Sequence, residues 1–147
     1  MATSIYERGR FLVDLLERLA EKVNEIKELP IQCKIGFLTQ KDSLCVYSLP
    51  GGRTIEQDWA GNKEREGLYE IGIRTNQQEL ADQTLWLIAN HIDAIQSTHS
   101  LVSKDKSFLL ETIELTGTPF VSEQDIEGCS TYLLNIKITY LQRSENQ

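Results

Sequence analysis

The segment GLYEIGIRTNQQELADQTLWLIANHIDAI, residues 67–95, decides the fold. Up to Thr75 its apolar residues alternate, with Tyr69, Ile71 and Ile73 separated by Glu70 and Gly72, the period of a strand with one buried face. From Asn76 onward the spacing is helical, and Ala81, Leu85, Ile88, Ala89, Ile92 and Ile95 fall on one stripe. Asn76-Gln77-Gln78-Glu79 supplies an N-cap residue with a glutamate three positions on, so a strand is expected to run straight into a helix capped by Asn76. Burying Leu85, Ile88, Ile92 and Ile95 at about 1.5–3 kcal/mol each contributes about 6–12 kcal/mol before ordering costs, enough to hold that helix on a sheet.

Before this segment, residues 53–59 and 66–75 read as a hairpin reversed at Ala60-Gly61-Asn62-Lys63, with a polar, mobile tip. Residues 44–49 and the alternation of Ile31, Cys33, Ile35 and Phe37 read as a second hairpin across Gln40-Lys41-Asp42-Ser43, ended by the turn chemistry of Pro50-Gly51-Gly52. At the start of the chain Ser4-Ile5-Tyr6-Glu7 has the capping-box pattern. It opens a helix that buries Ile5, Leu12, Leu16, Leu19, Val23 and Ile26 and that Pro30 ends. After the second helix a polar run from Gln96 to Lys106 reads as a loop, followed by strands over 108–115 and 131–141. Gly117-Thr118-Pro119-Phe120-Val121 and an acidic turn over 122–128 link them. The predicted order is α-β-β-β-β-α-β-β: an α+β fold whose mainly antiparallel sheet of about five to six strands carries two helices on one side.

The length of 147 residues and 40% hydrophobic content suit one domain, 1–147, with a core that needs no staple. No apolar run approaches a membrane span and no secretory leader is legible at the N-terminus, so the expectation is a soluble protein made in the cytosol. Cys33, Cys45 and Cys129 are odd in number and widely spaced, which favours reduced thiols over a disulfide framework or a zinc site. A formal charge of -7 opposes tight binding to phosphate backbones.

No chemistry-bearing motif emerges. There is no G-x-S-x-G elbow, no phosphate-binding glycine loop and no calcium-loop series; Asp125, Glu127 and Gly128 read as a solvated turn. His91 reads as a partly buried structural histidine on the flank of the second helix, and His99 as solvated. His91 and Asp93 diverge on a helix, which removes a metal pair. The expectation is therefore no catalytic residue, no cofactor and no metal.

Two surface features remain. Glu56, Asp58, Glu64 and Glu66 gather along the hairpin of residues 53–75, either as a charged hairpin kept soluble or as a negative surface presented to a pore or a basic partner. Trp86 falls opposite the buried stripe of the second helix, among polar residues, with Leu87 extending an apolar patch. It either packs under a neighbouring loop or anchors a subunit contact, and Trp59 at the hairpin turn invites the same two readings.

Several local phrases, in this order of elements, resemble the tail terminator and minor capsid proteins of long-tailed bacteriophages, lambda-like in plan. They are Trp59-Ala60-Gly61, Tyr69-x-Ile71-x-Ile73-Arg74 leading into Asn76-Gln77-x-x-x-Ala81, and Thr118-Pro119-Phe120, Asp125, Gly128 and Tyr132 before the last strand. The similarity runs from the first helix to Leu141, with Ala60 and Asn76 standing where the family more often has aspartate. The resemblance implies a non-enzymatic virion protein: a homohexameric ring capping the head-proximal end of the tail tube. Its implied partners are its own copies, the tail tube protein and the head connector, with DNA only in transit and no membrane. Another connector, neck or minor capsid component is the alternative, and a small cytosolic α+β enzyme or ligand-binding protein the more remote one. Ring closure requires two different patches per subunit, for which Trp86 with Leu87 and the Trp59 hairpin are the candidates.

Overall fold

The computed structural model describes residues 13–39 and 42–144. The deciding segment folds as its periods require: β3 (Lys63–Thr75) runs into α2 (Gln78–Thr98). Ile71 and Ile73 are fully buried, as are Ala81, Leu85, Ile88 and Ile92. The helix starts differently from the reading of Asn76 as its cap. Gln77 occupies the cap position, and the Thr75 hydroxyl accepts the Gln77 amide at 3.2 Å. Because β3 stays in register to Thr75, the first free polar side chain at the corner is that of Thr75, itself buried. The helix also outlasts its predicted end. The Ser97 and Thr98 hydroxyls bond back to the carbonyls of Asp93 and Ala94, which absorbs polar residues into the last turn before His99 breaks left-handed at φ 51°.

A six-stranded sheet in the order β1-β2-β3-β6-β4 carries this helix, with β5 paired to the same side of β6 as β4. The strands are β1 (Cys33–Ile35), β2 (Ser43–Gln57), β4 (Phe108–Leu115), β5 (Phe120–Gln124) and β6 (Ser130–Gln142). The sheet curls toward a half-barrel and both helices lie on one face. There α2 covers β3, β4 and β6, and α1 (Leu15–Asn24) covers β1 and β2. The α+β class, the mainly antiparallel sheet and the one-sided helices agree with the sequence reading. The element order does not, for it is α-β-β-β-α-β-β-β among the described residues.

Three local corrections account for the difference. Pro50-Gly51-Gly52 is not a turn: β2 continues through it, and the register against β3 merely shifts between Leu49 and Arg53. Proline is tolerated because this half of β2 is a sheet edge, where no neighbour needs its missing N–H. Secondly, β1 and β2 are parallel, not a hairpin. Asn24 ends α1 well before Pro30 by clamping Cys33, accepting its amide at 2.7 Å and donating to its carbonyl at 2.9 Å. That grip launches β1 directly from the helix. Leu38 then sits over Gly72 on the open face of the sheet, and β2 runs in the same direction as β1. So short a connection suffices because β1 has only three residues. Ile35 and Phe37 consequently face outward, and Phe37 stacks on Tyr47 at 5.9 Å. Thirdly, residues read as a linker form β5, with Phe120 opposite Leu133 and Val121 opposite Tyr132. The predicted capping box at Ser4–Glu7 and the apolar residues Ile5 and Leu12 lie outside the described residues.

One contiguous core fills the space between sheet and helices, from Leu15, Leu19 and Val23 of α1 to Leu134, Ile136 and Ile138 of β6. Cys33 and Cys45 are buried thiols, and desolvation pushes Cys33 up to about 12. Among the described residues no helix is long and apolar enough to cross a membrane. Within the core the Tyr69 ring folds back over Gly67, where an added Cβ would lie 2.7 Å from its hydroxyl oxygen. Gly67→Ala is therefore expected to displace a buried ring and cost about 1–3 kcal/mol. Gly117→Ala, with no atom within 4 Å of its Cβ, is the neutral control. Thermal melts followed by circular dichroism check the pair; equal midpoints would refute the packing argument.

Candidate interface surfaces

The Trp59 hairpin is built by its first residue. Asp58 Oδ1 accepts the amides of Ala60 at 2.9 Å and Asn62 at 2.8 Å, and Asn62 Nδ2 donates to Asp58 Oδ2 at 3.0 Å. The Asp58 amide donates to the Asn62 carbonyl, and Gly61, at φ 89°, donates to the Asp58 carbonyl. The far side is anchored too, for the Ser144 amide donates to Asn62 Oδ1 at 2.7 Å. The tip is thus hydrogen-bonded on both flanks, in contrast to the mobile tip expected from its polarity. At its apex Trp59 is 106% exposed, with no burial among the described residues. Asp58 holds the turn as a carboxylate, since the hydrogen bond from Asn62, with the backbone donors behind it, lowers its pKa from the ordinary value.

The four hairpin carboxylates do not act as one group. Glu66 sits on the open face and pairs with Arg53 at 3.4 Å and Lys137 at 4.0 Å. Glu56 and Glu64 stand directly opposite across the β2–β3 ladder, an arrangement unfavourable for folding. With Asp58, Asn62 and Leu141 they line a cleft of about 220 Å³ beside the Trp59 turn, and Glu111 from β4 joins them. Burial, and then a hydrogen bond and repulsion from Glu64, raise the Glu111 pKa. Sequence reading missed Glu111 because only the sheet order brings β4 to this end of β3.

On α2, Trp86 is 44% exposed and Leu87 half-buried, while Leu85 and Ile88 on either side face the core. They lie on a different element from the Trp59 turn. His91 is half-buried, and its Nε2 has no hydrogen-bond partner among the described residues. His99 reaches the Glu111 carbonyl at 3.1 Å on the outer edge of β4. No group of three or more metal-ligating side chains occurs among the described residues.

A second turn repeats the first. Asp125 Oδ1 accepts the amides of Glu127 at 3.0 Å and Cys129 at 2.9 Å. The Asp125 amide donates to the Cys129 carbonyl, and Gly128, at φ 91°, donates to the Asp125 carbonyl. Ile126, in the position of Trp59, is 103% exposed. The shared D-x-x-G spacing of residues 58–61 and 125–128, each with a large apolar second residue, was the signal available in the sequence.

Two outcomes are expected. A carboxyl with a lowered folded pKa contributes structure that is present above the ordinary carboxylate pKa and lost as pH falls through the folded value. Asp58→Ala should therefore accelerate amide exchange at Ala60 and Asn62 at neutral pH, whereas in the wild type that acceleration appears only at acid pH below 3.8. For Glu111 the sign reverses. Its raised folded pKa is a penalty that is absent below the ordinary value of 4.5 and grows as pH rises above it, so Glu111→Gln should raise the melting temperature at pH 7 and not at pH 4. No protein-family model and no curated protein matches the chain.

Proposed function

We propose that this chain is the tail terminator of a long-tailed bacteriophage, a ring that closes the head-proximal end of the tail tube and offers the surface to which the filled head joins. The observation that carries the reading is Trp59, wholly exposed at the apex of a turn that its own hydrogen bonds hold rigid. A buried tryptophan removes about 150–250 Å² from water, worth about 5 kcal/mol at an interface, and a fixed turn loses little entropy on docking. The family phrases around it, Trp59-Ala60-Gly61 and Tyr69-x-Ile71-x-Ile73-Arg74, support the same assignment.

A ring needs two different patches per subunit, and Trp86 with Leu87 on α2 is separate from the Trp59 turn. Glu56, Asp58 and Glu64 beside Trp59 suit a basic partner surface. At -7 per copy the ring lets DNA pass without gripping it. The protein works without catalysis or cofactor, in the virion, after assembly in the bacterial cytoplasm.

Polymerisation of purified tail tube protein in the presence of this chain is the test. Wild-type protein should fix tube length and appear as rings at one tube end in negative stain. Trp59→Ser, which removes a side chain that is fully exposed among the described residues, should need at least about tenfold more protein for the same effect. Tubes of unlimited length with the wild type would sink the reading. Binding to head connector rings without length control would move the protein to another neck component.

A further inference from the structure

The geometry points to the Asp125–Cys129 turn as a second docking plug, whose partner is a protein offering an apolar socket rimmed by lysine and arginine; this rests on the terminator reading above. Three observations carry it. The turn reproduces the four backbone-amide hydrogen bonds of the Trp59 turn, with the same aspartate oxygen accepting two amides and the same left-handed glycine. Both present a large apolar side chain at full exposure. And the two turns lie at opposite ends of one ladder, since Lys63 pairs with Gln142 beside the first and Thr75 with Ser130 beside the second. A single subunit thus holds one rigid apolar point toward each end, about 40 Å apart along the strands.

The chemistry of the socket follows from what surrounds Ile126. Arg74 pairs with Asp125 and also donates to Thr131 Oγ1 at 3.0 Å, so that aspartate is committed to the turn and bolts it to β3. Glu123 and Glu127 are exposed, and among the described residues neither forms an ion pair. A β-branched side chain flanked by two free carboxylates fits an apolar floor with a cationic rim. Two copies meeting turn to turn would bring these carboxylates together, whereas a basic-rimmed protein would not.

Binding of immobilised tail tube protein and of immobilised head connector protein to wild type, Trp59→Ser, Ile126→Ser and Glu127→Lys tests this. Circular dichroism melts establish that each variant is folded. Ile126→Ser and Glu127→Lys should each weaken binding to the same one of the two proteins at least tenfold, and Trp59→Ser should weaken the other. Added salt should weaken the wild-type contact at the Ile126 end and leave Glu127→Lys nearly unaffected. If Ile126→Ser binds both proteins within twofold of wild type, the plug is overturned while the terminator reading stands. Loss of one and the same protein in the Ile126 and Trp59 variants overturns the two-ended arrangement. Wild type that binds neither protein overturns both readings.

Discussion

The structure depends on the uninterrupted antiparallel register of β3 with β6, from Lys63 against Gln142 to Thr75 against Ser130. Directly paired residues in such a ladder share a face, so this one alignment puts Ile71, Ile73, Leu134, Ile136 and Ile138 under the helices and Glu66, Glu70, Asn135 and Lys137 on the other side. A slip of one residue would exchange the two sets and bury a row of charges. The same register delivers Thr75 to the corner where α2 starts. It also sets the β2–β3 and β5–β6 turns at opposite ends of the molecule.

Most of the core was legible because it depends on period alone. Ala81, Leu85, Ile88, Ala89, Ile92 and Ile95 follow a helical stripe that no tertiary contact had to override. What was not legible depends on pairing. Pro50-Gly51-Gly52 has the composition of a turn, and only its place on an edge lets it remain strand with a register shift. Three residues at β1 take their direction from Asn24, nine positions away, which no local pattern encodes. Phe120 and Val121 read as linker because their alternation is too short to see without Leu133 and Tyr132 opposite. The candidate surfaces divide in the same way. Trp59 stands out as a large side chain in a turn, whereas Ile126 lay hidden in a segment read for its acids, and the grouping of Glu66 with the other hairpin carboxylates dissolved once Arg53 and Lys137 lay beside it.

The sheet's edges are treated unequally. Gln96 Oε1 accepts the Ile113 amide at 2.7 Å and the His99 ring meets the Glu111 carbonyl, so side chains from the end of α2 occupy outward-facing backbone groups of β4. The outer half of β2 carries Pro50 and two register shifts, which blunt it as a template for another strand. These devices disfavour indiscriminate edge-to-edge pairing. On the proposed reading, specific contacts fall to side chains at the turns and on α2.

Rigid turns make an economical contact because the ordering is complete before a partner arrives. In each, one aspartate oxygen holds two amides, a glycine takes the left-handed position, and a distant element fixes the whole: Ser144 for the first, Arg74 for the second. Neither apolar side chain contributes to the core, so each is free to be set by what it meets. The neighbouring carboxylates restrict what that is. An apolar surface without cationic groups would leave Glu56, Glu64 and Glu111, or Glu123 and Glu127, desolvated without compensation. On the proposed reading, hydrophobic points supply affinity and the acidic surround supplies selection, a division of labour that suits the proposed role of joining two other proteins while DNA passes.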